Sequence, residues 1–451
     1  MNPSRTLASP RLAVLLIAAL SGGVCLAAEE PFTAPPQEGI ALFGEGFRLR
    51  GEIKLGFRNS QDLVFRYNSS ALGPLVMETP SPGSSFEIST VNLVAAGDLT
   101  DGISAKVEVH VLDLYNRNPT SSDDRVALRE AWIRFGRKYE ALKPIPGTSL
   151  YLEAGKFPRF SKQVERRLES YGLWGTAVGR FEEVGLEAGG SFGRHVYWRG
   201  QVVNGNPLFM RDVNALAGDN GTEERQPGST ADPIYNSGFP ILYDAKATDV
   251  NFSRRVQVGG GLGFRVTSED GTAGLDVLAW GFRRELQDTV PIRGSYYGGD
   301  IDLLDGLPPP NITLDGRTKW EAGANLEARA GGLRLYGQLV YQDIAGLVRK
   351  GVEAEAGWRI PLNGLFAWGD SPVFNWLQPN VRYSEIRNDF VMPAGHVAPQ
   401  FAWDWDKLDA GLRIGIVRGV DLTAEYTRHW MKTRSAWLHA DEMLITLRAG
   451  F

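Results

Sequence analysis

The chain has 451 residues, with 48 lysines and arginines against 53 aspartates and glutamates, a formal net charge of -5. That balance excludes a nucleic-acid binder, which needs a basic footprint. With 22% of residues charged and no apolar run of spanning length beyond the first residues, it also excludes a helical membrane protein.

The first segment reads as a secretory leader. Arg5 and Arg11 flank the apolar run 12–20, and Ala27 and Ala28 give a small-residue exit before Glu29. Such a run is a signal-peptide core, well short of the roughly 20 residues that span a bilayer as a helix. Residues 1–28 are therefore expected to be cleaved on export, leaving 29–451. Cys25, the only cysteine, leaves with the leader, because Gly22 and Val24 stand where a lipoprotein signal needs a leucine and a small residue. The mature chain then has neither disulfides nor thiolate chemistry.

From Phe47 the pattern is one of strands. Phe47, Leu49, Ile53, Leu55 and Phe57 share one face, and Arg48, Arg50, Glu52, Lys54 and Arg58 share the other. A face so charged cannot be the inside of a soluble sandwich. Period-2 runs recur at 103–111, 184–192, 196–202, 322–328, 333–341, 352–360, 408–416 and 420–426. Runs of about 9 to 12 residues cross the hydrocarbon layer when tilted. Gly193-Arg194, Gly331-Gly332 and Arg418-Gly419 supply tight hairpin turns.

Connections alternate in length. Long or moderate ones at 59–84, 116–124, 158–182, 204–255, 285–319, 343–350, 388–403 and 431–440 fall on one side, and mostly short ones on the other. The pattern predicts an all-β transmembrane antiparallel barrel of about 16 strands, both termini on the short-turn side. Eighteen strands result if the weakly alternating 243–252 contributes. Trp132, Trp198, Trp320, Trp358, Trp376 and Trp430 stand near strand ends, where lipid-facing interfacial belts would put them. The last residues alternate and stop on Phe451, the kind of closing strand whose aromatic terminus the barrel-assembly machinery reads. Phe451 is the candidate assembly signal.

Alternation turns Arg48, Arg50, Lys54, Arg58, Lys106, Arg134, Arg199, Arg334 and Arg382 inward, together with carboxylates such as Glu108, Glu130, Glu187, Glu353, Glu355, Asp409 and Glu425. Basic side chains in a confined aqueous channel concentrate anions, and arginine binds oxyanions bidentately. Paired across strands, the same charges merely solvate the lumen. The connection 158–182, third on the long side, is the expected constriction, holding Arg159, Lys162, Arg166, Arg167 and Arg180 beside Glu165, Glu169 and Glu182.

Tyr151-Leu152-Glu153-Ala154-Gly155-Lys156-Phe157-Pro158-Arg159-Phe160, then Val164-Glu165-Arg166-Arg167, Gly179-Arg180-Phe181-Glu182-Glu183-Val184-Gly185-Leu186 and Trp198-Arg199-Gly200-Gln201-Val202-Val203 with Asn204-Gly205-Asn206, and Leu128-Arg129-Glu130-Ala131-Trp132-Ile133-Arg134-Phe135 before them, resemble the phosphate-selective porins of Gram-negative bacteria, porins O and P. The resemblance covers about a quarter of the chain by the motifs that carry it. It implies a 16-stranded homotrimeric channel whose third loop folds into the pore.

The expected function is an outer-membrane porin for passive diffusion of small anionic solutes, phosphate-type oxyanions among them, with no cofactor and no catalysis. Trp403-Asp404-Trp405-Asp406 motivates a second reading, an oligosaccharide channel or polymer exporter, since exposed indoles beside carboxylates stack on sugar rings. His429 and His439 with Asp441 motivate a third, a rim hydrolase, but the five histidines show no metal spacing.

Overall fold

The computed structural model describes residues 40–41, 46–70, 73–78, 83–111, 126–163, 165–174, 182–205, 246–247, 255–286, 292–293, 314–362, 364, 366–369, 371–392, 394–395, 402–433 and 436–451. Sixteen strands build one wall. In chain order they are β1 Phe47–Ser60, β2 Gly83–Thr100, β3 Ile103–Val111, β4 Val126–Gly136, β5 Ser149–Pro158, β6 Glu182–Phe192, β7 Val196–Val203 and β8 Gln257–Thr267. Then follow β9 Ala273–Glu285, β10 Thr318–Ala330, β11 Leu333–Ile344, β12 Leu347–Trp358, β13 Trp376–Asn388, β14 Asp404–Val417, β15 Val420–Lys432 and β16 Trp437–Gly450. Each pairs antiparallel with the next, and β16 returns to β1 with Glu52 opposite Gly450 and Ser60 opposite Glu442. Closure removes the open sheet edges that hydrocarbon does not tolerate.

The two faces separate as alternation requires. Leu55, Val107, Ile133, Leu152, Leu186, Leu262, Leu339 and Leu412 stand exposed on the outside, while Arg58, Glu187, Gln201, Arg265, Asp276, Gln342, Lys407 and Asp409 are buried inside. The N-terminal Ile40–Ala41 pairs with Leu49 and Arg48 of β1, so the β1 edge stays covered beyond the end of β16. Between them sits Phe451. It exchanges backbone hydrogen bonds with Gly51, 2.8 and 2.9 Å, and its ring lies where a Cβ on Gly51 would stand 2.3 Å from Cζ. A side chain at Gly51 would displace that ring.

Several expectations need correction. Trp132 and Trp376 do not face lipid. Trp132 lies opposite Lys106 and donates Nε1 to Glu130 at 3.2 Å, with the Arg134 guanidinium 4.1 Å above its ring. Trp376 lies opposite Gly415 with Arg359 at 3.9 Å over it. Trp320 alternates outward beside Tyr341, ring centroids 4.9 Å apart. The moderate connection expected at 343–350 shrinks to Ala345 and Gly346, both at positive φ (51° and 89°), because β11 and β12 run on to meet them. Within 431–440, β15 and β16 likewise run on, to Lys432 opposite Trp437. The 59–84 connection contains a hairpin of Val64–Ser69 with Gly73–Glu78. Of 243–252 only Lys246–Ala247 is described, paired with Ile292–Arg293 outside the wall. The leader 1–28, with Cys25, lies outside the described residues, as does Arg180.

The lipid-face assignment predicts a large penalty at Leu262, whose side chain is 60% exposed in the middle of β8. Leu262→Arg should cost roughly 2 to 4 kcal/mol if it sits near the bilayer midplane. Denaturant titration in lipid bilayers reads this, and an unchanged midpoint would refute the outward orientation.

Candidate functional site

Beyond β5 the chain turns into the barrel. Residues 159–174 start at β5 and end against β13, halfway round the wall. The first anchor is Arg159, whose Nη2 lies 2.7 Å from Glu321 of β10 and whose Nε lies 3.3 Å from Glu183 of β6. Its guanidinium covers the Phe282 ring of β9 at 4.2 Å. The carbonyl of Ser161 then accepts from Asn325 of β10 at 2.7 Å and Gln338 of β11 at 3.1 Å.

The second anchor is ionic. Arg167 Nη1 donates to Glu355 of β12 at 2.8 Å. Glu169 accepts from Lys54 of β1 at 2.9 Å and from Arg166 at 3.1 Å, while its own N–H donates to Glu425 of β15. The Ser170 N–H donates to the same carboxylate at 3.1 Å. Arg382 of β13 ties segment to wall. It donates to Ser170 O at 3.1 Å and Oγ at 2.8 Å, and it pairs with Asp409 at 2.9 Å and Glu355 at 3.3 Å. Asp409 also takes Lys407 at 2.9 Å and the Thr427 hydroxyl at 2.6 Å.

The third anchor is apolar and comes last. Leu173 and Trp174 are buried, with the Leu173 N–H on Ser384 Oγ at 3.2 Å and Trp174 Nε1 on the Glu385 carbonyl at 2.7 Å. Close approach depends on Gly351, where a Cβ would stand 2.6 Å from Trp174 Nε1, and on Gly411, where it would stand 2.5 Å from Leu168 Cδ2.

These contacts decide the protonation of the segment. Burial opposes the charge on Glu169, but Lys54, Arg166 and Arg413 outweigh it and lower its pKa to about 2. Burial likewise opposes the charge on Arg159 and Arg167, and Glu321 with Glu183 in one case and Glu355 in the other raise them above the usual arginine value. A buried ion pair loses several kcal/mol per ion in desolvation and holds only when its lone pairs and protons are satisfied. Around Asp409 and Arg382 they are.

The expected pore-lining residues are spread round the wall. Arg48 and Arg50 stand half-buried near the start of β1, and Lys54 and Arg58 lie deeper on the same inward column. Lys106 pairs with Glu108 at 2.7 Å and Glu130 at 3.0 Å, and Arg134 donates to Glu153 at 2.6 Å. Arg199 reaches the Tyr139 carbonyl at 3.5 Å, and Arg334 turns back to the Leu333 carbonyl at 3.0 Å. Lys54 and Arg382 of this set touch the inner segment, where Lys162, Arg166 and Arg167 join them. Sequence reading missed Lys407 and Ser170: a lone lysine on an alternating strand and a serine in an aperiodic loop carry no signal. Trp403 and Trp405 are buried rather than exposed, and Trp405 Nε1 donates to His429 Nδ1 at 3.1 Å. No sugar-stacking platform forms there. Among the described residues no cluster of His, Cys, Asp and Glu side chains could hold a metal ion.

A closed 16-stranded antiparallel wall, apolar outside and charged within, is the fold of the outer-membrane porins. The chain is similar to OprB of Pseudomonas putida in its high-pH structure, over 90% of this chain and 94% of that one, with a TM-score of 0.51 and 9% identity. The outer-membrane channel DcaP of Acinetobacter baumannii is similar over 92% of this chain and 99% of its own, with a TM-score of 0.48 and 10% identity. An anion-selective porin from Comamonas acidovorans covers 90% and 99%, with a TM-score of 0.44 and 10% identity. No family model and no curated protein matches the sequence.

Two predictions follow the anchors. Arg382→Ala takes one buried charged donor from Asp409, Glu355 and Ser170 at once, leaving Asp409 to Lys407 and Thr427 and Glu355 to Arg167, and should lower unfolding stability by about 1.5 to 3 kcal/mol; a loss under about 1 kcal/mol, the scale of a surface pair, would contradict the role given to it. Because the Glu169 pKa is depressed, its contribution to docking is complete above the ordinary 4.5 and is lost as pH falls toward about 2. Single-channel conductance should stay flat from neutral pH down to that window and step within it, and Glu169→Gln should remove the step. A step centred near neutral pH would assign the titration elsewhere.

Proposed function

We propose that the chain is an outer-membrane porin whose water-filled lumen passes small anionic solutes by passive diffusion. The observation that carries the reading is the inner segment: a stretch bearing Arg159, Lys162, Arg166 and Arg167 spans the interior of a closed wall and is fixed to it by side chains from both sides. Confined between low-dielectric walls, unbalanced charge near such a narrowing biases which ions enter.

The sign of the bias comes from the half-buried groups. Among the described residues, buried cations and carboxylates are nearly equal in number and most stand close to an opposite charge, so their fields cancel at a distance. Arg48 and Arg50 on β1, and Lys162 and Arg166 on the segment, keep contact with the open lumen. Phosphate-type oxyanions fall within the solute class, since arginine forks match them. The segment's place as the third long connection agrees with the resemblance to porins O and P, which also implies a homotrimer inserted by the barrel-assembly machinery after loss of the leader. Burial of Trp403 and Trp405 leaves the sugar-channel alternative without its platform, and the reading assigns no catalytic step.

Purified protein in a planar bilayer under a salt gradient should give a zero-current potential of anionic sign. The double variant Arg48→Glu with Arg50→Glu should move it toward cations, more at low salt than at high, because screening shortens the reach of both charges. A cation-selective potential in the unaltered protein would overturn the solute class.

A further inference from the structure

Between the inner segment and the wall lies a cavity of about 150 Å³. Its apolar surfaces are mostly rings, Tyr171 and Trp174 on the segment, Trp280 of β9 and Tyr336 of β11, with Val340 of β11 beside them. Arg159, Lys162 and Arg166 supply its cations and Glu353 of β12 its one carboxylate. We propose that this cavity is a subsite for a small aromatic carboxylate, its ring against Trp280 and Tyr336 and its carboxylate on Lys162 and Arg166. The proposal rests on the channel reading above and names a solute for it.

The charge is available there and not elsewhere along the segment. Arg167 and the wall cations Arg382 and Lys407 keep 2% or less of their side-chain surface, whereas Lys162 keeps 28% and Arg166 keeps 21%. The acceptor of Arg166 is shared, because Glu169 also takes Lys54 at 2.9 Å. Lys162 has Glu182 at 3.3 Å, longer than a strong charged hydrogen bond. A second carboxylate arriving at these two side chains would complete an ionic cluster that the protein leaves cation-rich.

The rings exclude the simpler ligands. A bare inorganic anion would satisfy the cations and leave Trp280 and Tyr336 in contact with water. A neutral sugar would cover the rings and add no negative charge beside Lys162 and Arg166, whose carboxylates Glu182 and Glu169 are shared with Arg129 and Lys54. An aromatic carboxylate does both, since rings favour offset or edge contacts with other rings. The rings are also held in place: Trp280 donates Nε1 to Asn325 at 2.9 Å and packs on Phe282 with centroids 5.6 Å apart, and Trp174 is tied to the Glu385 carbonyl. A volume of about 150 Å³ suits a single ring. Glu353 Oε2, buried and without a hydrogen-bond partner among the described residues, adds a preference for a donor at the far end and disfavours a second carboxylate there.

Titration calorimetry on the full chain in detergent, with benzoate, acetate and benzyl alcohol as probes, tests the subsite. Benzoate should bind at least tenfold tighter than either of the others. Lys162→Gln should weaken benzoate at least fivefold, with Lys162→Arg restoring most of it, and Trp280→Leu should weaken benzoate while leaving acetate unchanged. The compact heat-modifiable band on gels shows that each variant is folded, and should Trp280→Leu lose it, the Lys162 pair decides. Benzoate binding no tighter than acetate and benzyl alcohol, or binding insensitive to Lys162, would overturn the subsite. Conductance in potassium chloride separates the two ideas: benzoate binding by a chain that forms no channel sinks the porin reading alone, and a conducting chain that does not discriminate the probes sinks the subsite alone.

Discussion

The pairing of β16 with β1 is the constraint on which the structure depends. In hydrocarbon an unpaired N–H or C=O costs several kcal/mol, so a sheet can cross a bilayer only as a closed ring. Once the ring is closed, alternation has only one solution: apolar side chains to lipid, charged ones to the lumen. The composition follows from this. A chain with 22% charged residues and 53 glycines is at home in a membrane because its charge is turned inward, out of the lipid.

An interior lined with charge creates a second problem, which the inner segment answers. Carboxylates such as Asp409, Glu355 and Glu425 point from the wall into a space that the segment fills with Arg167, Ser170 and backbone N–H groups. Wall and segment neutralise each other, and neither arrangement is favourable alone. Groups that complete these pairs, Arg382 above all, set where the segment lies. Lys162 and Arg166 stand beside them and keep more of their surface, and it is through these two that the proposed channel would meet its solutes.

Much of the wall was legible in the sequence, because a strand crossing a bilayer must alternate and its alternation is visible within about ten residues. The β1 faces, the inward direction of Lys54, Arg134 and Arg382, and the hairpins at Gly193, Gly331 and Gly419 follow from period 2 and positive φ alone. The tryptophan belts failed at Trp132 and Trp376 because residue type was read ahead of parity: Trp132 is two residues from both Glu130 and Arg134 and must share their face. The turn at Ala345–Gly346 was hidden by polar residues at 342–343 and 349–350, which extend the strands inward rather than ending them. The anchors of the inner segment had no local signal. Glu169 meets Lys54 and Glu425 at separations of 115 and 256 residues, and nothing in an aperiodic loop announces partners that distant.

On the proposed function, residues 159–163 and 165–174 lie across a conducting lumen. With Cys25 in the expected leader, a cysteine placed at Lys162 would be the only thiol in the mature chain. Modifying it with a bulky thiol reagent while current is recorded across a planar bilayer is the direct measurement. The account predicts that current through each open channel falls stepwise as the reagent reacts. Full conductance after labelling shown to be complete would place the segment away from the path of ions and contradict it.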